Sequence, residues 1–215
     1  MSKYKYFIFD FDLTLADSSE AILMCFKHTL EQFGYPPKDD RTIFNTIGLT
    51  LVDGFDILTD TPNNPQREEM RKCYVKKADE VMVKHTYFYD DAIAVLQVLK
   101  HADRKVGIVS TKFRYRIEQT FEAKAGSMPV DIIVGGEDVT EAKPDPQGLD
   151  LIIEKFGADK ADVLYIGDSY IDAETAKRAG VDFAGVTTGS TTKEDFERYP
   201  HIYIGESLLD IFQSI

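Results

Sequence analysis

Two aspartates, Asp10 and Asp12, follow directly on the apolar run Tyr6-Phe7-Ile8-Phe9. A third acid, Asp168, closes the run Val163-Leu164-Tyr165-Ile166-Gly167, and Ser110 closes the run Val106-Gly107-Ile108-Val109. Lys143 stands in a loop between such runs. Carboxylate oxygens suit Mg²⁺, which takes few protein ligands and keeps several waters. A metal held there would offset the repulsion between Asp10 and an anionic substrate. Carboxylates, a hydroxyl and an ammonium that converge on one crevice suit the metal-assisted transfer of a phosphoryl group. Either of the first two acids alone could be a helix cap or a solvated turn. With Asp168 and Lys143 in register, the chemical reading takes precedence.

These residues need strands to bring them together. Short continuous apolar runs are strands buried on both faces. Beside the three above, Ile132-Ile133-Val134 and the stretch 181–186 have that character. Helical spacing lies between them, as in Leu149, Ile152, Ile153 and Phe156, and in Ala173, Ala176 and Ala179. The alternation predicts an α/β fold, a doubly wound parallel sheet with helices on both faces. Ligands of such sheets bind outside the carboxyl ends of the strands, where Asp10, Ser110 and Asp168 stand.

Residues 15 to about 88 break that rhythm. Asp17-Ser18-Ser19-Glu20 reads as a capping box opening a helix with Ile22, Phe26, Leu30 and Phe33 on one face. A second helix is expected over about 41–58, and a third carries Met70, Tyr74, Ala78, Val81, Met82 and His85. The pattern predicts a core domain of residues 1–14 and 88–215, with an inserted all-helical subdomain over 15–87.

The composition excludes several classes. Lys and Arg number 25 against 37 Asp and Glu, a net charge of −12, so a polynucleotide partner is not expected. No apolar run approaches the roughly 20 residues that span a bilayer. The opening Met1-Ser2-Lys3-Tyr4 lacks the apolar stretch of a signal peptide. Cys25 and Cys73 cannot make a disulfide framework, which favours a reducing, cytoplasmic setting. The four histidines, His28, His85, His101 and His201, lack metal-ligand spacing. The sequence sets no oligomeric state.

Taken in order, Asp10-Phe11-Asp12-Leu13-Thr14, Ser110, Lys143-Pro144 and Gly167-Asp168-Ser169-Tyr170-Ile171-Asp172 resemble the four signatures of the haloacid dehalogenase superfamily. The helical insert sits where its phosphoglycolate phosphatase-like members carry a cap. The resemblance implies that Asp10 is a nucleophile forming an aspartyl-phosphate, and that Asp12 is general acid and then base. It gives Ser110 and Lys143 to the phosphoryl oxygens, and Mg²⁺ to the Asp10 side chain, the Asp12 carbonyl and Asp168, with Asp172 as an occasional partner. Thr14, Thr111 and Lys112 are the substrate-binding candidates, Lys112 as the group to reach a distal anion. Arg116 reads as part of a solvated helix face, and Thr187-Thr188-Gly189-Ser190 as structural. Leu13 stands where many members carry Gly, so a left-handed backbone is not expected there. The implied activity is a Mg²⁺-dependent phosphohydrolase for a small phosphorylated metabolite. Inorganic pyrophosphatase, sugar phosphomutase and a non-catalytic phosphate-binding protein stay open as alternatives.

Overall fold

The computed structural model describes residues 3–215; Met1 and Ser2, part of the opening stretch considered above, lie outside the described residues. Six strands form one parallel sheet: β1 (Tyr6–Phe9), β4 (Lys105–Val109), β5 (Ile132–Val134), β6 (Val163–Gly167), β7 (Asp182–Val186) and β8 (Tyr203–Gly205). Their order is β5-β4-β1-β6-β7-β8. The first strand is therefore central, pairing in parallel with β4 on one side and β6 on the other. Helices α5 (Ala92–His101), α6 (Arg114–Lys124), α7 (Gln147–Phe156), α8 (Tyr170–Ala179), α9 (Lys193–Phe196) and α10 (Leu208–Ser214) belong to this α/β unit. They cover the sheet with two apolar clusters. One holds Phe7, Phe9, Leu96, Ile117 and Phe121, the other Ile8, Ile152, Tyr165, Ala176 and Phe183. Successive side chains of β1 thus enter opposite clusters, as strand alternation requires. The edge strand β8 and the helix after it escaped the sequence reading, because the strand's apolar run, Ile202-Tyr203-Ile204, is too short to stand out.

The insert comprises α1 (Ser19–Gln32), α2 (Asp40–Phe44), α3 (Leu51–Leu58) and α4 (Arg67–Val81). Its own core joins Phe26, Leu30, Ile43, Phe55, Met70 and Tyr74, with Phe26 edge-on to both Phe55 and Tyr74. Three expectations change here. The insert is not wholly helical at its ends, since β2 (Ala16–Asp17) and β3 (Tyr87–Phe88) pair as a short antiparallel ribbon where the chain leaves and re-enters the sheet domain. The helix expected over 41–58 is two helices, broken where Gly48 takes φ +98°, a conformation glycine adopts without a Cβ penalty. The predicted capping box does not form either. Ser18 stands at the N-cap of α1 without a side-chain cap bond, because its hydroxyl donates elsewhere.

Leu13 also departs from expectation, with φ +59°. The chain must reverse at once after β1, and the Leu15 and Ala16 amides both donate to the Phe11 carbonyl. A left-handed leucine costs about 1–2 kcal/mol. Burying its side chain in the core of the insert, at 2% exposure, offsets a loss of that size. Among the described residues no helix is long and apolar enough to cross a membrane.

Candidate active site

The ends of β4, β1 and β6, three neighbours in the sheet, place Ser110, Asp10 and Asp168 side by side. The Asp10 amide donates to the Ile166 carbonyl at 2.9 Å, holding the end of β1 against β6. Asp10, Asp168 and Asp172 each bring one carboxylate oxygen within 4.8 Å of the others. All three are buried. Lys143 Nζ lies 3.0 Å from Asp10 Oδ1 and 2.7 Å from Asp172 Oδ1.

The surrounding polar groups divide these acids. Asp172 Oδ1 accepts from Lys143 and, at 2.8 Å, from the Tyr165 hydroxyl. Its Oδ2 accepts from the Ser169 amide and hydroxyl, closing a capping box on α8. Both oxygens of Asp172 are thus engaged, and the residue serves as cap and as anchor for Lys143. Asp168 Oδ1 accepts from the Thr14 hydroxyl at 2.9 Å. Thr14, a substrate-binding candidate by sequence, therefore orients an acid. Gly189 approaches so closely that a Cβ there would stand 1.9 Å from Asp168 Oδ2. The loop 187–190, expected to be structural, lies against the acid cluster, and the Thr188 hydroxyl ties it to the Leu13 carbonyl.

On the other flank, Asp12 Oδ1 accepts from the Ser18 hydroxyl and from Lys112 Nζ, the latter at 2.7 Å. Lys112 does not extend freely toward a distal anion. Its side chain is 4% exposed, and its ammonium is held by Asp12. Thr111 lines two crevices, one shared with Asp12 and one with Ser110 and Lys143. Ser18 is a site residue the sequence reading missed, because a serine before a helix reads first as a cap. Arg116 is not on a solvated face. It is 4% exposed, and its Nη2 donates to the Val75 carbonyl at 2.9 Å and pairs with Asp79 at 2.8 Å, both on α4.

Burial raises the Asp10 carboxyl to about 7; the Lys143 charge opposes this, and Asp172 and Asp12 add to it. Burial likewise pushes Asp168 well above the usual carboxylate range, with Asp172 and Asp10 reinforcing it. Burial would lower Lys143, but the charges of Asp10 and Asp172 outweigh it and hold the amine above its usual value. Asp10 Oδ1 has no hydrogen-bond donor among the described residues, for the Lys143 approach lacks hydrogen-bond geometry. A buried carboxylate oxygen with the Lys143 charge nearby but no hydrogen bond among the described residues, set beside two more acids, is a donor set a hard cation satisfies. Asp10 and Asp168 fit that role, and Asp172 supports it from behind.

Comparison with known proteins places the chain by family and by fold. The sequence profile of the family described as haloacid dehalogenase-like hydrolase matches residues 7–186. A pyrophosphatase named PpaX from Oceanobacillus iheyensis is 28% identical over 95% of this chain and 93% of its own length. The PpaX of Bacillus pumilus is 30% identical over 83% of this chain and 81% of its own. A solved structure from Bacteroides fragilis, described as a haloacid dehalogenase-like hydrolase, is 45% identical. It superimposes with a TM-score of 0.94 and covers 97% of this chain and 99% of its own. A predicted phosphoglycolate phosphatase from Haemophilus somnus shares the fold, with a TM-score of 0.89 at 20% identity, over 99% and 98% of the two chains.

Proposed function

The chain belongs to the haloacid dehalogenase-like hydrolase family, and we propose that it is a Mg²⁺-dependent phosphatase of a small phosphorylated metabolite, working through an aspartyl-phosphate on Asp10. The observation that carries this reading is the meeting of Asp10, Ser110 and Asp168 at three adjacent strand ends, with Lys143 between the acids and Asp12 on the far flank. Asp10 and Asp168 would hold the cation, which supplies charge neutralisation for the phosphoryl group when bound.

An oxygen of the Asp10 carboxylate attacks phosphorus, and the bond to the leaving oxygen breaks. Asp12 gives that oxygen its proton. The Ser18 hydroxyl and the Lys112 ammonium grip Asp12 Oδ1, which leaves Oδ2 as the oxygen for proton transfer. Ser110 donates to a phosphoryl oxygen, and Lys143 steadies both the charge on that group and Asp10. Water then attacks phosphorus, giving its proton to Asp12, and the Asp10–phosphate bond breaks to release phosphate. A buried site keeps water from competing with the first transfer.

Inorganic pyrophosphate is a second substrate reading, favoured by the PpaX relatives that match almost the whole chain. The low cysteine count, with Cys25 buried and Cys73 half-buried and both unpaired, supports a cytoplasmic setting. The test is phosphate release from a panel of small phosphate esters and pyrophosphate, in Mg²⁺ and in EDTA. Release is expected in Mg²⁺ alone. Equal release in EDTA would overturn the metal dependence, and none from any compound would overturn the phosphatase reading.

Gly189 offers an independent check on the cation. Gly189→Ala has no room for its methyl unless the Asp168 carboxylate turns away and the loop shifts off the Asp168 carbonyl oxygen, 2.9 Å from the added Cβ. Displacing a ligand's support typically costs 10–100-fold in metal affinity. A Mg²⁺ titration followed by thermal melting is expected to show a loss of about that size. Unchanged affinity would remove Asp168 from the ligand set.

A further inference from the structure

One hydroxyl in the core has no packing reason to be there. Tyr165 lies in the middle of β6, in register with Ile8 of β1 and Phe183 of β7. Its ring joins the apolar cluster of those two residues, with the Phe183 ring centroid 6.3 Å away. It is fully buried, and among the described residues every other aromatic side chain less than 2% exposed is a phenylalanine. Phenylalanine would fill the same space without a polar atom, and a buried hydroxyl costs free energy unless it is bonded.

The bonds of that hydroxyl have a fixed direction. It carries one proton, and a carboxylate only accepts, so it donates to Asp172 Oδ1 at 2.8 Å. The Val109 carbonyl is farther off, at 3.5 Å. The phenol oxygen is then free to accept from the Lys143 ammonium, 3.3 Å away, which also donates to Asp172 Oδ1 at 2.7 Å. Lys143 Nζ, Tyr165 Oη and Asp172 Oδ1 therefore close a ring of three. The cap on α8 does not need this ring, because Asp172 Oδ2 closes it with Ser169. An ammonium has three N–H bonds, and the ring takes two of them. The third is left for Asp10, whose Oδ1 lies 3.0 Å from Nζ without a hydrogen bond, and for a phosphoryl oxygen joined to it.

We propose that Tyr165 is a positioning residue, whose hydroxyl holds the Lys143 ammonium against Asp172 so that its remaining N–H faces the phosphoryl group on Asp10. The proposal rests on the phosphatase reading for what Lys143 does, and on the ring alone for where Lys143 is held. Without the hydroxyl, the amine loses an acceptor and is the one remaining donor to Asp172 Oδ1, so it turns away from the reacting group.

The test compares wild type with Tyr165→Phe, which keeps the ring packing. With Mg²⁺, on p-nitrophenyl phosphate and on pyrophosphate, kcat is expected to fall about tenfold while KM stays within about twofold, the split of an interaction felt in the transition state. In an Asp172→Asn background the same change is expected to cost less than about twofold, since the hydroxyl acts through that carboxylate. A loss of packing alone would move neither the split nor the coupling. A second readout needs no turnover. In metal-free protein with ¹⁵N-labelled lysine, the Lys143 ammonium signal is assigned by its absence from Lys143→Arg. It is expected to exchange slowly with water in wild type, and to shift and exchange faster in Tyr165→Phe. A signal that does not change, or that is absent from wild type, would overturn the positioning role. So would a changed signal with kcat within about twofold of wild type. Wild type that releases phosphate from no compound would overturn the phosphatase reading, and an unchanged ammonium signal would then overturn the hold on Lys143 as well.

Discussion

Asp10→Asn protein is expected to release phosphate at least about 10³-fold more slowly than wild type, yet to melt at a higher temperature in EDTA at pH 8. The two effects have one cause. Asp10 is 3% exposed, and its Oδ1 lacks a hydrogen-bond donor among the described residues. Burial, with Asp172 and Asp12 adding to it against Lys143, raises the carboxyl to about 7 from an ordinary 3.8. The folded protein therefore binds this proton more tightly than the unfolded chain does. The stability that proton contributes is full below about pH 4 and is lost as pH rises through 7. At pH 8 the metal-free fold carries an ionised, poorly solvated acid, at a cost on the order of a few kcal/mol. The amide removes that charge and with it the nucleophile. For a domain of this size each kcal/mol moves the melting temperature by roughly 2–4 °C. The stabilisation is expected to shrink toward pH 5 and to be smaller with Mg²⁺ present, since a cation relieves the wild-type acid but gains little from the amide. A variant that melts lower than wild type at pH 8 in EDTA, or that keeps turnover within tenfold, would contradict this account of Asp10.

The strand ends were legible because the runs before Asp10, Ser110 and Asp168 are apolar throughout and too short for a helix, the pattern of a strand buried on both faces. Lys143 was legible as an ammonium in a loop near the strand ends, but nothing in that position announces an amine reaching back to both Asp10 and Asp172. Arg116 was misread for a physical reason. A charged residue on an amphipathic core helix faces solvent unless a second unit packs over it, and here α4 of the insert supplies the Val75 carbonyl and the Asp79 carboxylate. Helical periodicity carries no information about that neighbour. Ser18 was misread likewise, because its hydroxyl chose Asp12 over the backbone amides of its own helix. Leu13 shows the limit of local preference. Its left-handed backbone is imposed by the turn after β1 and sustained by burial that only the assembled insert provides.

Replacing Lys143 should be the most damaging single change to folding at this site. Its ammonium sits 3.0 Å from Asp10, 2.7 Å from Asp172 and 3.3 Å from the Tyr165 hydroxyl, and both acids are at most 4% exposed. Lys143→Met preserves the length of the stem and leaves two buried carboxylates without their cation. Removing one partner of a buried ion pair typically costs about 3–5 kcal/mol. In wild type the amine is held above its ordinary value by Asp10 and Asp172 despite burial, so its contribution is undiminished between pH 6 and 8 and is lost only in strong alkali. Any pH dependence of the difference must then come from the acids left behind. Lys143 is the main influence opposing the rise of Asp10, so in the variant Asp10 takes up a proton at a higher pH than in wild type. The stability gap measured by urea unfolding in EDTA is therefore expected to be widest at pH 8 and to narrow at pH 6. Turnover is expected to fall by about 10²–10³-fold, the loss usual for a group that stabilises transition-state charge. The double variant Asp10→Asn with Lys143→Met separates the two roles. It should recover much of the stability, because the unpaired charge is gone, and none of the turnover. A Lys143→Met protein destabilised by less than about 1 kcal/mol, and equally so at both pH values, would mean that the acids are stabilised by something other than this amine.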